Sequence, residues 1–351
     1  MAGELDGRWR WVLGGAAVCA AALLGLTGLL VLRQTHYPYQ DLVSRQLSWA
    51  AVGLVVVGLS VSIEPKALTR LAYPLAAVAV LGVSLAAGLS SQAWLRPADV
   101  LCVAAIPAFA RFSAERQNPA SSLSAWLAGS ILGLVGLKLL LSAGPGGALI
   151  WLACGVAALS LVRWSVAQRL SFGAVSLLVL GTLVALLRPY QLARLKYWLF
   201  PGDDPHGAGW RFLELRRLLA QGGLWGADAP WPTRHGVTAF EAPYVFVGNQ
   251  AGWVGMAGVV LLNLVVVGVA AWIGLRASSI ESRAIGRGVA AFWGVHLLLA
   301  AGGNLGLVPE IANTAPLLGY GGSAVVAALL SLGLLLHVLR RREETPDQRF
   351  A

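Results

Sequence analysis

Charge is what this chain most lacks: Asp, Glu, Lys and Arg make up 12% of its 351 residues, against 57% hydrophobic ones, and the mean hydropathy is +0.71. A soluble domain carries about 25% charged residues, so the composition excludes one and points to a polytopic membrane protein. Acids are fewer than bases, 16 Asp plus Glu against 26 Lys plus Arg, leaving a formal net charge of +10. That surplus does not imply nucleic acid, because cytoplasmic loops of membrane proteins are enriched in Lys and Arg for topological reasons. No nucleic-acid partner is expected. Cysteine is rare too: Cys19, Cys102 and Cys154 each sit in an apolar run, without CxxC spacing or a clustered His. Neither a disulfide framework nor a zinc site is indicated, and the three are read as small packing residues. A short signal-peptide core is also missing. Arg8 and Arg10 precede an apolar run from about Trp11 to Leu32, long enough to cross a hydrocarbon layer of ~30 Å, so the segment is expected to be retained.

What is present is a succession of apolar runs, near 11–33, 48–63, 70–89, 97–112, 124–142, 147–164, 170–187, 249–275, 287–306 and 316–338. The expected architecture is all-α, with about ten transmembrane helices; the short fourth and sixth runs also fit partly re-entrant segments. An even number of spans puts both termini on one side. With the N-terminus inside, the inside segments collect Arg8, Arg10, Lys66, Arg70, Arg111, Arg116, Arg163, Arg169, Arg276, Arg283, Arg287 and Arg340 to Arg342, while the short outside loops hold little beyond Arg45 and Arg96. This asymmetry predicts cytoplasmic termini. Many of the 14 Trp, among them Trp49, Trp94, Trp164 and Trp272, fall near span ends, where an amphipathic ring suits the interface.

The same orientation places residues 188–248 outside, as one long loop carrying Arg188, Arg194, Lys196, Arg211, Arg216, Arg217 and Arg234. Loops of this length escape the charge rule, so a tolerated solvated loop is one reading. The other is that the cations face an anion such as a lipid-linked phosphate. Its Trp and Leu content argues for order. In WRFLELRRLLAQ, Arg211, Glu214 and Arg217 recur every three residues with Leu215, Leu218 and Leu219 largely opposite, the pattern of an amphipathic helix on a protein or membrane surface. Asp99, at the start of a span, is expected to be buried and paired. Lys138, near a span end, is expected to snorkel.

Several segments in order resemble the SEDS family, the RodA, FtsW and SpoVE proteins, over almost the whole chain. VPEIANTAPLLGYGGSA, Val308 to Ala324, is similar to the family's stretch of Pro, polar turn, second Pro and SYGGS. GWRFLELRRLLAQGGLWG, Gly209 to Gly226, keeps the family's spacing up to its GGLFG turn. PYQLARLKYWLFPGDDPHG carries Arg194 at the family's Arg, GWVG at 252–255 matches the turn into the eighth span, and RPAD at 96–99 falls where the family has QPSE. Counting back from Gly252, Glu241 occupies the position of the family's external-loop Asp. Other acids are replaced: Asn249 and Gln250 stand for a pair before the turn, Gly144 for the acid of PDLGT, and Gly319 for the Ser before YGGS. The LPE-x-H motif is matched only loosely, by Trp231, Pro232 and His235.

The resemblance implies one SEDS-like transmembrane domain over residues 1–351 in a bacterial plasma membrane, acting as a peptidoglycan glycosyltransferase on lipid II from the outer face. It implies a class B penicillin-binding protein as partner, besides membrane lipids. Such a reaction needs a base for an acceptor sugar hydroxyl and stabilisation of a departing lipid diphosphate. Glu241 is the candidate base, its basicity raised by apolar neighbours such as Phe240 and Tyr244; a local loop acid is the alternative. Arg194, Lys196 and Arg211 are the candidate diphosphate clamps, with headgroup-facing cations as the alternative. No cofactor is indicated by the residues. A bridging Mg or Mn ion with Glu241 or Asp204 as ligand is left open, although the scattered acids form no recognisable metal site. His206 and His235 are read as exposed loop residues. Tyr320 to Ser323 are read as small-residue packing at the last span. Two rival functions remain: a scaffold or regulator that has lost catalysis, favoured by the missing acids, and a lipid transporter, disfavoured by the few ionisable groups at mid-span.

Overall fold

A computed structural model describes residues 7–33, 41–89, 97–117, 122–185, 189–228, 231, 237–311 and 314–340. The chain forms helices α1 (Gly7–Arg33), α2 (Leu42–Ser62), α3 (Pro65–Leu89), α4 (Pro97–Ala104), α5 (Ile106–Glu115), α6 (Ser122–Ala143), α7 (Pro145–Leu159) and α8 (Val166–Ala185). It continues with α9 (Pro189–Leu199), a 3-10 turn at Pro201–Asp203, α10 (Trp210–Gly222), α11 (Pro243–Arg276), α12 (Ile280–Asn304) and α13 (Gly322–Arg340). Among the described residues there is no strand. Every expected span overlaps a helix, the fourth being the pair α4 and α5. These are parted at Ala105, where Pro107 enters the first turn of α5 without an N–H to donate.

Among the described residues, five helices, in α1, α2, α11, α12 and α13, are long and apolar enough to cross a membrane, and shorter apolar stretches lie within α3, α6, α7 and α8. Large apolar side chains stand exposed along them, including Leu54, Val78, Leu134, Leu178 and Leu261. Bare apolar surface on this scale is stable in lipid and not in water. Inside the bundle, α12 supplies the centre with Val289, Phe292 and Trp293, packed with Ile150 and Trp151 of α7 and with Ala327 and Ala328 of α13. Two buried indole N–H groups find partners there: Trp293 Nε1 donates to Ser331 Oγ at 2.8 Å and Trp151 Nε1 to Leu132 O at 2.9 Å.

Asp99 is 4% exposed and its Oδ1 lies 3.5 Å from Nε2 of His296, which is 0% exposed. His296 Nδ1 is 2.8 Å from Phe292 O. A carbonyl can only accept, so Nδ1 carries a proton, and Asp99 and His296 approach as a polar pair within an otherwise apolar core.

The start of α1 and the end of α13 lie on one face. Gly14 of α1 contacts Leu336 and Leu339 of α13, and the far end of α13 meets the far end of α2 through Arg340 Nη1 to Val61 O at 3.0 Å. The opposite face carries α9, α10 and the segments leading into α11 and α13, and is called the loop face below. The long loop carries α9 and α10. Its second helix, α10, lies on protein: Phe212, Leu215, Leu218 and Leu219 are buried against the rest of the molecule.

α11 begins earlier than the hydropathy indicated, at Pro243, because the run Tyr244 to Val247 is buried by protein. The GWVG turn is a break within this helix. Gly252 has φ 68° and ψ −174°, and a Cβ there would overlap the carbonyl of Leu224. The gap in the helical ladder is filled by the turn after α10: Trp253 N donates to Gly223 O at 3.0 Å and Val254 N to Leu224 O at 3.3 Å. Gly252→Ala is therefore expected to cost on the order of 2–3 kcal/mol, from the positive φ and the displaced carbonyl together. Gly258→Ala, in the same helix with open space around it, should be neutral or slightly stabilising. Thermal unfolding of the two purified variants in one detergent checks the contrast; equal melting points would disprove it.

Candidate functional site

The site is built where three segments converge on the loop face: the start of α10, the turn before α11, and the segment after α12. Asn304, at the end of α12, accepts a hydrogen bond through Oδ1 from Tyr244 N at 3.3 Å, satisfying an amide in the first turn of α11. Asn249 Nδ2 donates to Leu218 O at 2.7 Å, which ties α11 to α10. Ala227 N donates to Asn249 O, also at 2.7 Å, and Gln250 Nε2 donates to Asn249 Oδ1 at 2.7 Å. Residue 249 is 2% exposed. An ionised Asp there could not donate to the Leu218 carbonyl, so the amide that replaces an expected acid serves as a joint.

Arg211, in the first turn of α10, points to the segment after α12. Its Nε and Nη2 donate to Oε2 and Oε1 of Glu310 at 2.7 and 2.8 Å, a two-pronged pair. The Arg211 side chain is 27% exposed and that of Glu310 12%. Arg211 Nη1 also lies 3.6 Å from Glu241 Oε2. Burial opposes the Arg211 charge, but the hydrogen bond and charge of Glu310, followed by those of Glu241, outweigh it and raise the guanidinium above its ordinary pKa.

Glu241 closes a turn, its amide donating to Thr238 O at 3.1 Å while its Oε2 accepts from Thr238 N at 3.3 Å. The carboxylate is 44% exposed. The apolar neighbours expected around it turn elsewhere: Tyr244 is fully buried in the core, and Phe240 packs edge-on against Tyr320 with ring centroids 6.1 Å apart. The charged group Glu241 meets is the Arg211 guanidinium. Arg194 Nη1 reaches Glu310 O at 3.5 Å, and Trp198 Nε1 donates to Gly306 O at 2.8 Å. Of the candidate substrate-binding residues, Arg194 and Arg211 thus converge on Glu310, together with Glu241. Lys196 is engaged separately, 3.6 Å from Asp203 and above the ring of Tyr197.

Sequence reasoning missed Glu310. Its signal was an acid beside Pro309, opposite a loop rich in cations. It also missed Gln46, whose Nε2 donates to Gly319 O at 3.1 Å and which thereby pins the GYGGS stretch to α2. Glu214 is a correction: it lies on the buried side of α10 and is neutralised by Arg217 at 3.1 Å. His206 is exposed, and His235 lies outside the described residues. Asp204 spends both oxygens on the amides of Gly207 and Ala208, at 3.0 and 2.9 Å. With Asp204 capping a turn and Glu241 facing a guanidinium, the residues do not fit a resident divalent ion.

An all-helical, multi-pass membrane protein with a carboxylate and guanidinium cluster on one face is the class these features define. Residues 16–344 match the family model of the FtsW, RodA and SpoVE proteins, described as cell cycle proteins, and the chain belongs to that family. It is 26% identical over 316 residues to a probable peptidoglycan glycosyltransferase FtsW of Trichlorobacter lovleyi, covering 84% of this chain and 82% of that one. It is also 26% identical to the peptidoglycan glycosyltransferase MrdB of Escherichia coli, over 45% of this chain and 44% of the relative. For some relatives the aligned part is smaller still, the chain spanning 40% of a probable FtsW from Halothiobacillus neapolitanus. Among solved structures, a chain of a peptidoglycan synthase complex superimposes with TM-score 0.74 at 25% identity, covering 95% of this chain and 98% of that one. The rod shape determining protein RodA of Thermus thermophilus shares the fold, with TM-score 0.65 at 22% identity, covering 94% and 97%.

Removing Arg211 strands a nearly buried carboxylate, so Arg211→Ala is expected to cost about 2–4 kcal/mol. Lys196→Ala breaks a 3.6 Å pair whose partners are both more than half exposed and should cost about 0.5 kcal/mol or less. Denaturant or thermal unfolding of both variants distinguishes them; a cost for Arg211→Ala no larger than for Lys196→Ala would show that the Glu310 pair is not structural.

Proposed function

We propose that the protein is a peptidoglycan glycosyltransferase that polymerises lipid II at the outer face of a bacterial plasma membrane, with both termini cytoplasmic and residues 188–248 outside. Its transmembrane unit spans the whole chain. The observation that carries the reading is the placement of Glu241 beside Arg211 on the loop face, 3.6 Å apart, in a chain of the FtsW, RodA and SpoVE family. Glu241 accepts the proton of an acceptor sugar hydroxyl as that oxygen bonds to the donor's anomeric carbon. The bond from that carbon to the lipid diphosphate breaks, and the diphosphate leaves with the electron pair. Cations supplied by Arg194, Lys196 and Arg211 offset its growing charge. A class B penicillin-binding protein, which crosslinks the strand, is the proposed partner. Support comes from the likeness to a chain of a synthase complex described as coordinating polymerisation and crosslinking.

A second reading, a scaffold or regulator without catalysis, is favoured by one feature: the guanidinium best placed for an anion already holds Glu310. The test is glycan-strand formation from lipid II by purified protein with its transpeptidase present. Glu241→Gln keeps size and hydrogen bonding but cannot take the proton, so turnover should drop by ~10²–10⁴ with binding roughly intact. Glu241→Asp should retain more activity than Gln. Full activity in Glu241→Gln would remove Glu241 from the mechanism, and an inactive wild type would favour the scaffold.

Orientation has its own test. Single cysteines replacing His206 and Thr345, in a background in which the native cysteines are changed to Ser, are treated with an impermeant thiol reagent in intact cells. Labelling is expected at 206 and not at 345; the reverse pattern would move the site to the cytoplasmic side.

A further inference from the structure

We propose that Glu310 is a built-in competitor for the anionic substrate, holding Arg211 in the empty site so that a diphosphate must displace it and a singly charged phosphate lipid does not. The inference rests on the assignment of Arg211 to substrate binding made above. A guanidinium presents one two-pronged edge that suits carboxylate and phosphate alike. In Arg211 that edge, Nε with Nη2, is filled by Glu310 at 2.7 and 2.8 Å, and the remaining Nη1 faces Glu241 at 3.6 Å. Arg211 is matched by two carboxylates, and with Arg194 on the Glu310 carbonyl the two guanidiniums and two carboxylates cancel, so an arriving anion finds no open fork unless one carboxylate gives way.

Glu310 is the one that blocks the fork, and it has a route out. Its carboxylate retains 12% exposure, and its segment turns at Gly306, φ 73°, beside Leu307, which is 70% exposed. The main chain is held independently, by Trp198 Nε1 on Gly306 O at 2.8 Å and more weakly by Arg194 Nη1 on Glu310 O at 3.5 Å. A rotation of the Glu310 side chain therefore frees the fork without undocking the segment.

The gain is selectivity. An open arginine at the membrane surface would bind the phosphate of any anionic phospholipid, which is far more abundant than a diphosphate-linked precursor. A resident carboxylate sets a threshold: a phosphodiester of charge −1 merely replaces one monoanion with another, whereas a diphosphate brings at least twice the charge and can engage Arg194 as well.

The test measures binding of a polyprenyl diphosphate to the full-length protein in phosphatidylcholine nanodiscs, with phosphatidylglycerol as competitor. Glu310→Gln is expected to bind the diphosphate about tenfold more tightly, the scale of one charge-assisted contact, and to become sensitive to phosphatidylglycerol. Arg211→Gln added to Glu310→Gln should abolish both changes. Glu310→Asp, too short to keep the same two-pronged pair, should shift in the same direction by less, which guards against misfolding of the Gln variant. If Glu310→Gln binds no better than wild type while Arg211→Gln alone binds worse, Glu310 is a strut that positions Arg211: the inference falls and the clamp survives. If neither substitution alters diphosphate binding, Arg211 is no clamp and both fall.

Discussion

Everything on the loop face depends on how α10 is docked to the break in α11. Asn249 reaches the carbonyl of Leu218, and the turn after α10 supplies carbonyls to the amides left open at Gly252. These bonds fix one end of a stiff rod. Arg211 lies at the other end, about 11 residues and roughly 16 Å away at 1.5 Å per residue, so its position is set by the angle at which the rod is held. Gly252 allows that angle because it alone can take the positive φ and leave room for the Leu224 carbonyl. A break in a membrane helix exposes amides that lipid cannot satisfy. Here another segment of the same chain satisfies them, and the repair also orients the site.

The spans were legible in the sequence because their signal is large: apolar runs long enough for a bilayer separated by cationic or Gly- and Pro-containing turns. The start of α11 was not, because Tyr244 to Val247 are apolar on account of burial in protein, and hydropathy cannot distinguish protein from lipid as the apolar surrounding. Glu214 was misplaced for a related reason. A three-residue recurrence of charge looks like a solvated face, but an acid whose neutralising partner sits at i+3 can turn inward, and Arg217 makes that possible at 3.1 Å. Glu310 was hidden by its surroundings: the stretch around it was read for its prolines and glycines, and the partner that gives the carboxylate meaning lies 99 residues earlier in the chain.

The replaced acids have differing structural accounts. Asn249 is a buried donor between helices, a role an ionised acid cannot fill. Gln250 donates to Asn249 and so completes the joint. Gly144 is the N-cap of α7 at φ 87°, with nothing near a Cβ, so its backbone geometry rather than crowding favours glycine there. Acidity lost at these positions is partly offset in the same region by Glu310, which places a carboxylate on the loop face where the family-like pattern did not lead one to expect it.

That redistribution changes how the cationic loop attracts an anion. Counting residues suggests a strongly positive surface, yet Arg211 is matched by Glu310 and Glu241, Lys196 by Asp203, and Arg217 by Glu214. Internal pairing removes most of the long-range field, which falls off within about 8–10 Å at physiological salt in any case. If the loop binds the substrate anion as proposed, recognition is decided at contact distance, by which anion can replace a carboxylate already in place. Such exchange depends on charge density and two-pronged geometry more than on net charge, and both favour a diphosphate over an ordinary headgroup. A loop that looks from its composition like an electrostatic attractor is, at the level of its atoms, better suited to discrimination.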